Sequence, residues 1–94
     1  MEERDVEVRN EHGLHARPAA AFVQTAARYT SRITLRNLSR DGAEVDAKSI
    51  MMVLTAGVHK GARVRIRAEG EDAADAVQAL VDLVESGLGE QGFS

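Results

Sequence analysis

The sequence predicts an α+β fold in the order β-α-β-β-α-β-α, a four-stranded antiparallel sheet with three helices on one face. Three observations predict it. Several short segments alternate polar and apolar residues, the period of a half-buried strand. Between them lie segments whose apolar residues recur every three or four positions, the stripe of an amphipathic helix. The connections are short and each strand has one apolar face, which favours an antiparallel sheet covered on one side only.

Asp5-Val-Glu-Val-Arg9 is the first alternating stretch, and Asn10-Glu-His-Gly-Leu14 follows as a loop with Gly13 as its flexible point. From His15 the pattern turns helical, with Ala19, Phe22, Val23, Ala26 and Ala27 on one face. Pro18, the only proline, falls in the first turn, where its missing N–H has no intrahelical acceptor in any case. Residues 32–36 form the second strand, residues 37–42 a turn ending in Asp-Gly, and residues 43–47 the returning strand. Lys48-Ser-Ile-Met-Met-Val-Leu54 then breaks the alternation with an apolar run stopped by Gly57. With Ser49 as its N-cap, this run reads as a two-turn helix. A loop containing His59 and Gly61 leads into the clearest strand, residues 63–68. After Gly70, the stripe Ala73, Ala76, Val77, Leu80, Leu83 and Val84 marks the last helix. Glu71, Asp72 and Asp75 lie near its N-terminus, where the helix dipole favours negative charge. Residues 88–94 have no period and read as the frayed end of one domain comprising residues 1–94.

Composition narrows the function classes. Ninety-four residues is the size of one compact domain, and with one Tyr, two Phe and no Trp its core must be aliphatic. The absence of cysteine excludes disulfides and thiolate metal sites. Residues 1–5 are charged and lack the apolar run of a signal peptide, and no stretch is long enough to cross a bilayer. A soluble, cytoplasmic protein is therefore expected. A net charge of −3 argues against nucleic acid, whose binding draws on Lys and Arg against phosphates. Arg63, Arg65 and Arg67 make a basic stripe, but no strand offers an aromatic for base stacking. Glu7, Glu44 and Asp46 on neighbouring strands explain those arginines more simply, as cross-strand ion pairs. His12, His15 and His59 raise the question of a metal. His12 precedes the helix and shares no face with His15, and no acidic ligand is placed with them, so no metal is expected. There is no P-loop or paired-carboxylate site, so an autonomous enzyme is not expected either.

The chemistry concentrates in Gly13-Leu-His-Ala-Arg-Pro-Ala-Ala20. His15 stands where a loop becomes a helix, and the backbone N–H groups of Ala16 and Arg17 have no intrahelical acceptor. Such a helix end favours anions, and Arg17 adds a fixed positive charge. Phosphoryl transfer to nitrogen needs an imidazole nucleophile and donors for three phosphate oxygens. Ala16, Ala19 and Ala20 are small and leave the ring open to a second protein. A histidine opening a helix can also be no more than a cap, and Arg17 alone would be a solvated surface residue. The two together with Pro18, within six residues, point to the nucleophile.

That segment resembles the active-site signature of HPr, the histidine-containing phosphocarrier family of the bacterial phosphoenolpyruvate-dependent sugar phosphotransferase system. Lys48-Ser-Ile-Met-Met52 resembles the family's second signature, around a regulatory serine, although Met52 stands where many such members carry glycine. The likeness covers nearly the whole chain and implies an open-faced β-sandwich. It also implies that His15 takes phosphate on Nδ1 from enzyme I and passes it to an enzyme IIA for sugar uptake. By the same resemblance Arg17 contacts the phosphoryl group, and Ser49 is the site used by HPr kinase/phosphorylase where that enzyme exists. No cofactor is implied, and a monomer is expected. Ser49 keeps two readings, a helix cap and a regulatory site whose phosphate would repel an incoming phosphorylated donor. A chain acting mainly in signalling through Ser49 is a further reading, against which the presence of both His15 and Arg17 argues. The apolar run is expected to face mostly the core, with Met51 and part of Met52 joining Ala16 and Ala20 in an exposed docking patch.

Overall fold

The computed structural model describes residues 1–90. Its elements are β1 (Glu2–Glu7), α1 (Ala16–Ala26), β2 (Arg32–Asn37), β3 (Val45–Asp46), α2 (Ile50–Thr55), β4 (Arg63–Glu69) and α3 (Ala73–Glu85). The four strands form one antiparallel sheet in the order β1-β4-β2-β3. This is an open-faced α+β sandwich, as the alternation and the helical stripes predict.

Alternation decides which side each strand residue faces. Val6, Ile33, Leu35, Val64, Ile66 and Ala68 point into the core, where they meet Ala19, Phe22 and Ala26 of α1 and Ala76, Val77, Leu80, Val81 and Val84 of α3. Leu83, expected in the α3 stripe, is only partly buried at the edge of that cluster. On the open face Arg65 donates to Asp5 at 2.9 Å and lies 3.4 Å from Glu3. Arg67 reaches Glu3 at 3.2 Å and Glu44 at 2.9 Å. Arg65 and Arg67 are thus paired across the sheet face, but of the expected partners Glu7, Glu44 and Asp46 only Glu44 takes part, and Arg63 makes no ion pair among the described residues. Pairs this exposed contribute at most about 1 kcal/mol each, so burial of the aliphatic face dominates stability.

Three boundaries differ from expectation. β1 begins at Glu2, because its ladder with β4 runs from Glu2↔Ala68 to Glu7↔Arg63. Residues 2–4 are all charged, so no alternation marks them as strand. β3 shrinks from the expected residues 43–47 to two, paired as Thr34↔Asp46 and Leu35↔Val45, and Ala47 then donates its N–H to Ile33 at 3.0 Å. The expected frayed end is replaced, as far as residue 90, by ordered structure, and residues 91–94 lie outside the described residues. The N–H of Leu88 bonds the carbonyl of Leu83 at 2.9 Å, and that of Gly87 bonds Val84 at 3.1 Å, with Gly87 at φ +95°. This is the glycine-terminated helix end in which the following apolar residue folds back, and Leu88 is 1% exposed.

Candidate functional site

The geometry around His15 is set by the loop before it. Asn10 donates its side-chain amide to the carbonyl of Gly13 at 2.9 Å, and the Gly13 N–H returns a bond to Asn10 at 3.2 Å. Gly13 has φ +57°, and a Cβ there would lie 2.3 Å from the Val58 carbonyl oxygen. That close approach lets the next residue, buried Leu14, donate its N–H to the same carbonyl at 3.0 Å. The chain segments are thereby locked in step, and His15, following Leu14, meets His59, following Val58.

His15 occupies the N-cap of α1 in an extended conformation, but its side chain makes no capping bond. The ring is half-buried. Its Nε2 lies 3.4 Å from Nδ1 of His59, with ring centroids 5.2 Å apart and planes tilted by 33°. Among the described residues no hydrogen bond reaches Nδ1 of His15. Ala16 departs from a regular helix start, with φ +51° in the left-handed region. For a residue with a Cβ this costs about 1–2 kcal/mol, so the helix head is locally strained. Ala16 and Arg17 are exposed and Ala20 is half-buried. Arg17 makes no ion pair among the described residues. With Ala20 and Gln24 it borders an open groove floored by Val84 and Leu88. His15 and His59 are not among the residues that line this groove.

α2 packs against α1 and β3. Ser49 is its N-cap, and the hydroxyl oxygen accepts the Met52 N–H at 3.3 Å. The expectation that most of this run faces the core is corrected. Only Val53 is buried, while Ile50 (39%), Met51 (70%), Met52 (41%) and Leu54 (39%) are exposed. A helix of six residues beside a two-residue strand has little surface to bury itself against. Four apolar residues of this run are thus exposed, where Met51 and part of Met52 were foreseen.

Two contacts were not foreseen from the sequence. One is His59 beside His15. The other is Glu90, whose carboxylate accepts the Asn10 amide at 2.8 Å and the His12 backbone N–H at 3.1 Å, and pairs with the His12 ring. His12 is therefore turned to the segment that follows α3. The Asn10 amide and the His12 ring hold the Glu90 carboxyl down to about 2, and Glu90 in turn raises His12. Glu90, ordinarily near 4.5, stabilises the fold above that pH and loses its contribution as pH falls through about 2. His12, ordinarily near 6.5, contributes fully below that pH and loses its share as pH rises through its raised value. Thermal melts should accordingly show Glu90→Gln below the unsubstituted chain by the widest margin between pH 4.5 and 6.5, with the gap narrowing at pH 9. A gap independent of pH would mean that the His12 charge contributes nothing.

Comparison with known proteins agrees with this architecture. The family model described as "PTS HPr component phosphorylation site" matches residues 2–86. A multiphosphoryl transfer protein of Haemophilus influenzae is 49% identical over 83 residues, which cover 88% of this chain and 17% of that protein. The corresponding protein of Salmonella typhimurium is 48% identical, with 22% of its length covered. The chain thus spans about a fifth of the length of these curated relatives. The crystal structure of HPr-C-His from Thermoanaerobacter tengcongensis superposes with a TM-score of 0.90 at 48% identity, covering 97% of this chain and 99% of that one.

Fold and family matches together define a small phosphocarrier domain. The chain belongs to the PTS HPr family.

Proposed function

We propose that the chain carries a phosphoryl group on Nδ1 of His15, taken from phosphoenolpyruvate-charged enzyme I and passed to an enzyme IIA in sugar uptake. The observation that carries this reading is that, among the described residues, nothing bonds Nδ1 of His15 at the head of α1 or pairs with Arg17 two residues on, in a chain of the HPr family. Nδ1 attacks the donor's phosphorus, and the donor nitrogen leaves with the electron pair of the broken bond. Arg17 and the N–H groups at the head of α1 neutralise charge on the phosphoryl oxygens in flight. Hand-on is the same step reversed against the acceptor, so the chain is a carrier rather than an autonomous catalyst. It works as a cytoplasmic monomer without metal, cofactor or nucleic acid. Ala16 and Ala20 on α1 and Met51 and Met52 on α2 form its docking face, where flexible methionines suit more than one partner. The test is intact-mass measurement after incubation with enzyme I, magnesium and phosphoenolpyruvate. One acid-labile phosphate is expected, and none with a donor proven on another carrier would overturn the reading.

Ser49 is the proposed regulatory site, open to HPr kinase/phosphorylase. Its hydroxyl caps α2, and phosphate there would place negative charge beside the docking face. Ser49→Asp should keep a good cap while slowing phosphorylation of His15 about tenfold, the effect of about 1.4 kcal/mol of repulsion. Ser49→Ala should cost about 1 kcal/mol of stability and leave that rate unchanged. Equal rates for all three chains would remove the regulatory role.

A further inference from the structure

We propose that His59 is a positioning residue that selects Nδ1 of His15 as the phosphoryl acceptor by engaging Nε2; this rests on the carrier reading above. The two nitrogens stand 3.4 Å apart, and the ring centroids, at 5.2 Å, place the imidazoles edge to edge rather than stacked. A neutral imidazole has one N–H and one bare nitrogen, so a hydrogen bond between two such rings requires one to donate and the other to accept. Histidine side chains prefer the tautomer protonated at Nε2. If both rings keep that preference, Nε2–H of His15 donates to the bare Nδ1 of His59. The reverse bond would force both rings into the less favourable tautomer. The favoured arrangement leaves the lone pair of His15 on Nδ1, the nitrogen that no described residue binds.

The contact is built into the backbone. Leu14 and Val58 are joined by a main-chain bond of 3.0 Å, and the His59 carbonyl accepts the Ala62 N–H at 3.0 Å, closing the turn that carries His59. Gly61 in that turn donates to Val8 at 2.6 Å. His59 is thus held on a tied turn, on the side of the His15 ring away from Nδ1. When Nδ1 forms its bond to phosphorus, the ring becomes cationic and its remaining N–H is at Nε2. The bond to His59 then becomes charge-assisted and strengthens as the reaction proceeds, which accelerates transfer.

Phosphoramidate tests this without any protein donor. Its phosphorus–nitrogen bond breaks and ammonia leaves, the new bond forms at a histidine nitrogen, and the Nε2 proton stays in the hydrogen bond to His59. Phosphorus NMR distinguishes the Nδ1 from the Nε2 product. The full chain should give the Nδ1 product alone. His59→Ala should lose about three- to tenfold in rate at Nδ1 and begin to form the Nε2 product. His59→Asn, whose side-chain carbonyl falls where Nδ1 stood, should restore both rate and site. His59→Ala reacting only at Nδ1 at the original rate would overturn the proposal. Nitrogen-15 NMR of His15 gives the second measurement: a weakened Nε2–H signature in His59→Ala supports the pairing, and identical signatures overturn it. A chain modified at Nδ1 by phosphoramidate but not by charged enzyme I would fail as a carrier in that pathway and keep its histidine pair.

Discussion

Phosphoryl uptake from charged enzyme I is expected to vanish in His15→Ala while the fold survives. The ring is half-buried, caps nothing, and makes its one described hydrogen bond to an exposed residue. Removing it should therefore change stability by no more than about 0.5 kcal/mol. Loss of uptake without loss of structure separates a nucleophile from a structural histidine, and melting temperature together with intact mass reads both. Arg17→Ala supplies the graded comparison. It keeps the nucleophile and removes one charge, so uptake should slow about ten- to a hundredfold, the worth of a charged hydrogen bond. Uptake in His15→Ala equal to that of the unsubstituted chain would move the phosphate to another residue.

Gly13→Ala is expected to be the most disruptive small substitution near the site. Its φ of +57° is strained for alanine, and the new Cβ would meet the Val58 carbonyl oxygen at 2.3 Å and His59 Cα at 2.9 Å. These atoms are backbone and cannot swing aside, so the loop must retreat from the turn that carries His59. A cost of about 2–3 kcal/mol follows, or roughly 10–20 °C in Tm for a domain of this size. The same retreat breaks the bond from Leu14 to Val58 and separates the two histidines. Melting scans should show the loss. A Tm within a degree or two of the unsubstituted chain would mean that the loop accommodates the methyl group at no cost.

The physics of each element decides how much of it could be read in advance. Strands such as Arg63–Glu69 announce themselves because one face is buried and the other is wet, so period two is written into them. The first half of β1 has no such contrast; its residues are charged throughout, and its place comes from the ladder and ion pairs with β4. The helix head at His15 was legible because Pro18 and the change of period mark it. The left-handed turn at Ala16 was not, since alanine carries no signal for positive φ. Gly87 followed by Leu88 did carry one, a glycine stop with an apolar residue behind it, but the stretch lacks the periodicity that drew attention elsewhere. For α2, a run apolar on all sides does not say which face looks inward.

The candidate site divides in the same way. His15 and Arg17 lie together in one short segment, and Ser49 declares itself as a cap, so local reasoning reaches all three. His59 is forty-four positions from His15, and Glu90 is seventy-eight from His12. Their contacts exist only because Leu14 is pinned to Val58 and because α3 returns its end to the first loop. No spacing rule expresses a proximity created by tertiary closure.

β4 follows the other three described strands in sequence, yet it lies inside the sheet between β1 and β2. A chain growing on the ribosome therefore holds β1 without a neighbour until residue 69 has cleared the exit tunnel, because β1 pairs with no other strand. Among the described strands the one pairing open earlier, β2 with β3, spans two residue pairs and is too short to persist alone. The sheet consequently closes in one event, once β4 has emerged. His15 gains its fixed surroundings only when the segment that carries Val58 and His59 is drawn in beside β4.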